Sequence, residues 1–169
     1  MSKASWHLDD ITIVNEVRQA MLTTNRGTAQ HSESECCVEI SPDPLVEGRQ
    51  EIPLQFIDPS LADWCYDADQ WALQYLVSHS LRLYTKPLTL MDIKARYCPI
   101  TDRTYPREPC MLASIDFTTV AFSSSTGVTV APSDWDFLEV TPVFEIRSMW
   151  FADTGTCGLS LDLIEVCYD

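Results

Sequence analysis

The stretch from Val140 to Tyr168 most constrains what this chain can fold into. Phe144, Ile146, Trp150 and Ala152 fall on one parity, and Glu145 and Arg147 fall on the other. This is the period of a strand, whose successive side chains leave on opposite faces. Thr154 to Gly158 carries two glycines in five residues, which suits a hairpin loop with a bulge. Leu159, Leu161 and Leu163 then alternate with Ser160 and Asp162. Beyond Leu163 the parity slips by one, and Ile164, Val166 and Tyr168 become the apolar set. One extra residue in a strand produces such a slip, and bulges bend strands in closed sheets. The chain therefore ends in a long, bent β-hairpin, and no helix fits there.

The rest of the chain supplies more strands and a prominent helix. Asp9 to Leu22 places Ile11, Val14, Val17, Ala20 and Met21 at helical spacing, although Ile11, Ile13 and Val14 also permit a short strand. Residues 23–35 hold one apolar residue, an alanine, and read as an exposed loop or linker that contains His31. Cys36 to Ile40 is a short strand, and Ser41 to Pro44 is a turn. Glu51 to Ile57 alternates, and Pro53 within it marks an edge strand. Ser60 and Asp63 cap a helix whose apolar face is Leu61, Trp64, Ala68, Trp71, Ala72 and Tyr75, an aromatic stripe suited to packing on a sheet. His79 caps its far end. Leu81 to Tyr84 reads as a short strand. Residues 111–130 read as a second hairpin turning at Ser123 to Gly127, and Pro132 to Asp136 as a capped turn.

These pieces make one domain over residues 1–169, of α+β or mainly-β class. The expected architecture is a small bent antiparallel sheet or OB-like barrel with one or two packed helices. No apolar run approaches the roughly 18 residues that cross a bilayer, and the N-terminus lacks a signal-peptide core, so the expected location is the cytoplasm. The seven cysteines form no Cys-x-x-Cys pair, so neither a zinc site nor any other metal or cofactor is expected. The five glycines form no phosphate loop, and no flanking pattern ties the cysteines to His7, His31 or His79. An enzyme is not expected.

The formal charge of −14 opposes simple attraction to nucleic acid or to an anionic membrane. It is unevenly spread, however. Residues 82–107 hold six of the eleven basic residues (Arg82, Lys86, Lys94, Arg96, Arg103 and Arg107) against two acidic ones. Tyr84, Tyr97 and Tyr105 are interleaved with them. Cations that track phosphates, beside aromatic faces that stack bases, are the combination that holds single strands. A long loop whose arginines neutralise neighbouring acids has the same composition.

The stretch from Glu145 to Val166 resembles the closing hairpin of OB-type single-stranded DNA-binding proteins of phages and large DNA viruses. There a strand ending in Trp is followed by a short loop, then Gly-(Ile/Leu)-Ser and an alternating strand. The matching residues are Trp150, Gly158, Leu159 and Ser160. The resemblance covers about the last sixty residues. It implies an OB-like barrel and a binding module for single-stranded nucleic acid. A second reading is an acidic inhibitor or nucleic-acid mimic that binds a basic protein partner through Asp63, Asp67, Asp69, Asp134, Asp136 and Glu139. A third is a structural subunit of a virion or assembly, and an oligomer is compatible with any of the three.

Overall fold

The computed structural model describes residues 6–8, 12–14, 17–24, 27–31, 36–38, 50–57, 59–102, 110–115, 119–129 and 138–168. Its spine is the C-terminal ribbon. Strand β11 (Glu139–Phe151) and strand β12 (Cys157–Tyr168) pair antiparallel from Val140↔Tyr168 to Phe151↔Cys157. The register shifts twice. Val143 faces Glu165 but Phe144 faces Leu163, so Ile164 is an extra residue in β12. Ile146 faces Leu161 but Ser148 faces Ser160, so Arg147 is an extra residue in β11. The slip read after Leu163 is the first of these bulges. The second corrects the expected parity: past Arg147 the buried side chains are Met149 and Phe151, not Trp150 and Ala152.

Each spine strand has its outer edge tiled by three short strands. Along β11 these are β3 (Val17–Thr24), β4 (Gly27–His31) and β5 (Cys36–Val38), which pair with residues 148–151, 144–146 and 139–140. Along β12 they are β7 (Tyr97–Cys98), β9 (Cys110–Ile115) and β10 (Val120–Ser123), all parallel to it. Both bulges fall where the flanking strand changes. Arg147 lies between the β3 and β4 pairings, and Ile164 between those of β9 and β10. A bulge twists and bends its strand, so the ribbon turns where a new neighbour takes over.

Strand β6 (Gln50–Phe56) joins β5 to β9, antiparallel to both. The pairing β11–β5–β6–β9–β12–β11 thus returns to its start as a five-stranded ring, the arrangement expected of a small OB-like barrel. The remaining strands are β1 (Trp6–Leu8) and β2 (Thr12–Val14), which pair with β3, and β8 (Thr101–Asp102), which pairs with β9. The fold is α+β, and its sheet is mixed rather than purely antiparallel.

Helix α1 (Pro59–Ser78) begins one residue earlier than the expected Ser60 cap, with proline at its first position, where the missing N–H costs nothing. Leu61, Cys65, Ala68, Ala72 and Leu76 are fully buried on its core face. Trp64, Trp71 and Tyr75 flank that line, half-buried against the core. His79 ends the helix: its N–H donates to the Tyr75 carbonyl at 3.0 Å, and its ring stacks on Tyr75 at 4.0 Å. Short helices α2 (Ser80–Tyr84) and α3 (Leu90–Lys94) follow.

Several expectations are corrected. Within the segment read as a helix over 9–22, residues 12–14 are strand β2 and residues 17–22 lie in β3, which pairs with both β2 and the ribbon. Within residues 23–35, Thr23 and Thr24 end β3 and residues 27–31, with His31, form β4, so the described residues of this stretch are paired strand. Leu81 to Tyr84 is helical. Strand β6 is not an edge: it pairs with β9 over residues 50–55 and with β5 over residues 54–56. The turn read at Ser123 to Gly127 is present, with the Ser123 N–H donating to the Val128 carbonyl at 3.2 Å, but β10 has β12 as its strand neighbour, and Val128 and Thr129 are not in a strand. The turns read at Ser41 to Pro44 and Pro132 to Asp136 lie outside the described residues.

Candidate nucleic-acid interface

The described part of the basic window, residues 82–102, folds as α2, α3, β7 and β8 rather than as one long loop. Thr89 and Asp92 start α3 with a reciprocal capping box. The Asp92 N–H donates to Thr89 Oγ1 at 3.2 Å, and the Thr89 N–H donates to Asp92 Oδ2 at 2.9 Å. The Thr89 hydroxyl also donates to Oδ2, at 2.6 Å. These bonds, first the hydroxyl and then the backbone one, hold the Asp92 carboxyl below its usual range, with smaller help from the charges of Arg96 and Lys86. Lys86 and Arg96 therefore lie within electrostatic reach of one exposed carboxylate.

Arg82, Lys86 and Lys94 are exposed, and Arg96 is half-buried. Arg96 is built into the hairpin end of the ribbon. Its carbonyl accepts from the Cys157 N–H at 2.9 Å, and its guanidinium Nη1 lies 3.0 Å from where a Cβ on Gly155 would stand. Gly155 takes φ +86°, a left-handed turn conformation open to glycine. Two of the residues quoted for the family resemblance, Trp150 and Gly158, face each other here. A Cβ added to Gly158 would stand 2.8 Å from Cζ2 of Trp150 and 2.7 Å from the Cys98 carbonyl oxygen. The glycine thus admits the indole over one face and strand β7 alongside.

The tyrosines divide. Tyr97 is not a stacking surface. It is 9% exposed, and its hydroxyl donates to Asp69 Oδ1 at 2.6 Å. Burial first, then the Asp69 charge and hydrogen bond, push its phenol far above the ordinary tyrosine value. Tyr84 is half-buried, edge-on to Phe151 at 6.4 Å, and its hydroxyl donates to Cys157 Sγ at 3.4 Å. Burial raises the Cys157 thiol, against this bond. Arg103, Tyr105 and Arg107 lie outside the described residues.

Among the acidic candidates, Asp63, Asp67 and Glu139 are exposed, and Asp134 and Asp136 lie outside the described residues. Asp69 is corrected: at 5% exposure it cannot serve a protein-binding surface. It accepts from Tyr97 and from the Ile100 N–H at 3.1 Å, which ties α1 to the segment after β7. The sequence placed Asp69 off the apolar face, and only the pairing of β7 with β12 brings Tyr97 to it.

Beside this joint lies a groove of about 450 Å³. Tyr66, Asp69, Gln70 and Leu73 of α1 line one side, and Lys94, Tyr97, Pro99 and Thr101 of the following segments line the other. Tyr66 is 47% exposed. It was missed in the sequence because it sits among acids, away from the basic window. Among the described residues no group of three His, Cys, Asp or Glu side chains is placed to hold a metal, and no helix is long and apolar enough to cross a membrane.

No family model matches the sequence, and no curated protein matches it. Among solved structures, the chain is similar to the crystal structure of gp2.5, a single-stranded DNA-binding protein encoded by bacteriophage T7. The TM-score is 0.54 at 12% identity, over 83% of this chain and 91% of that one. At that identity, the likeness establishes a shared fold.

Proposed function

We propose that this chain is a non-enzymatic module that binds single-stranded nucleic acid. The likeness in fold to gp2.5, over most of both chains, carries the reading. Arg82, Lys86, Lys94 and Arg96 support it: they follow one another along a short segment that packs beside the hairpin end of the ribbon. Cations there hold phosphates, and aromatic faces exposed nearby stack bases. Arg103, Tyr105 and Arg107 extend the same proposal along the sequence. The acidic remainder of the chain keeps the strand on this one surface by repelling it elsewhere.

The test is fluorescence anisotropy with a labelled strand of roughly 30 nucleotides, longer than one OB-fold site. It is run at low and physiological salt beside a duplex control. Salt-sensitive binding to the single strand is expected, weakened by charge reversal at Arg96 and Arg103. Binding that survives both reversals unchanged overturns the assignment of the surface, and no binding at low salt overturns the function.

A further inference from the structure

We infer that the groove between α1 and the Lys94–Pro99 segment is a subsite for a single nucleotide of the bound strand, an inference that rests on the function proposed above. Three observations point to it. Its volume of about 450 Å³ falls in the range of small-ligand sites, which run from about 300 to 1,000 Å³. Its walls are amphipathic. The Tyr66 ring, Leu73 and Pro99 offer faces for a flat base, and the Gln70 amide offers both a donor and an acceptor to its edge. Its charges are ordered. Asp69 is held in one wall by Tyr97 and Ile100, and exposed Lys94 stands opposite.

That order fixes the ligand's direction. A phosphate is repelled by the Asp69 carboxylate and attracted by the Lys94 ammonium, so it stays beside Lys94 while the base enters. The wall is also rigid. Asp69 is anchored by hydrogen bonds to another element, so little ordering is left to do on binding. The stacking aromatic is then Tyr66 on the helix, in place of the tyrosines interleaved with the basic residues.

The full chain is titrated with the roughly 30-nucleotide strand as wild type, Tyr66→Ala, Tyr66→Phe and Lys94→Ala. It is also titrated with deoxycytidine monophosphate while backbone amide NMR shifts are recorded, with inorganic phosphate as control. Loss of a base–aromatic stack weakens strand binding by about tenfold. That loss is expected for Tyr66→Ala, with Tyr66→Phe close to wild type. The mononucleotide is expected to shift the amides of Gln70, Leu73 and Thr101, and phosphate alone is not. If wild type binds the strand and Tyr66→Ala binds it equally well, the subsite is overturned and the proposed function stands. If wild type binds no strand, the function falls. The mononucleotide shifts then decide the groove: shifts on those amides support the site, and their absence or their equal appearance with phosphate overturns it.

Discussion

Asp69 lies midway along α1 and is 5% exposed. A carboxylate there is tolerated because the Tyr97 hydroxyl and the Ile100 N–H take up its lone pairs. Tyr97→Phe removes the shorter of these bonds with little change in shape. Hydrogen bonds to charged groups contribute about 1.5–3 kcal/mol, so a loss of that size is expected in urea unfolding at pH 7. The pH dependence has a definite sign. The folded-state value of Tyr97 is raised, so its contribution is complete below the ordinary tyrosine value of about 10 and is lost as pH rises above it. The gap between wild type and Tyr97→Phe should stay constant from pH 6 to 9 and narrow above about pH 10. A gap still undiminished well above that would contradict this. Gly158 gives a second residue-level prediction. A methyl there meets the Cys98 carbonyl and the Trp150 ring below 3.0 Å, so Gly158→Ala should cost about 1–3 kcal/mol by overpacking. Gly127 has nothing within 4 Å but holds φ +65°. Alanine there should cost about 1–2 kcal/mol through the backbone alone, and a large loss of near-ultraviolet circular dichroism is expected only for Gly158→Ala.

The two bulges of the ribbon compensate each other. The register sums are equal outside them and differ by one residue between them, because each strand carries one extra residue. Deleting Arg147 therefore removes the bulge without changing any cross-strand pair: Ile146, Met149 and Phe151 come to alternate regularly and stay on the core face. What is lost is the local bend at which β3 gives way to β4. The deletion should keep its amide dispersion in NMR spectra, and both it and Arg147→Gly should stay folded at reduced stability. That reduction has a source: Glu145 faces Asp162 directly across the ribbon, and Arg147 reaches both, at 3.7 and 3.4 Å. One bulge was legible in the sequence and the other was not. Apolar residues on either side of Ile164 change parity visibly. Beyond Arg147 the apolar Trp150 continues the old parity, because it covers Gly158 on the ribbon's other face. The N-terminal strands were illegible for another reason. Ile11, Val14 and Val17 suit the helical period while Ile11, Ile13 and Val14 permit a strand, and the choice is made by pairing of Arg18 to Met21 with residues more than 120 positions away.

At the scale of the whole molecule, the basic window could be found from the sequence because charge clustering is a property of composition. Its internal order could not: whether Tyr97 stacks a base or bonds a buried acid depends on where β7 lands along β12. The same charge distribution makes the last prediction quantitative. Each phosphate neutralised on a single strand contributes about −0.7 to the slope of log K against log salt. The six cations assigned to the surface, Arg82, Lys86, Lys94, Arg96, Arg103 and Arg107, together then give about −4. The net charge of −14 acts in the opposite sense. It repels the strand beyond the contact surface, and that repulsion is screened as the Debye length falls to about 8 Å at physiological ionic strength. The observed slope should thus be shallower than about −4, and shallowest at low salt, where the repulsion reaches furthest. Lys86→Ala and Lys94→Ala should each flatten it by about 0.7, whereas Asp63→Asn and Asp67→Asn, which lower the net charge on exposed positions of α1, should raise low-salt affinity and steepen it. Anisotropy titrations at five or more salt concentrations separate the two effects. A slope unmoved by the lysine variants would remove those residues from the interface, and a slope steeper than about −4 in the wild type would mean that cations beyond these six reach the strand.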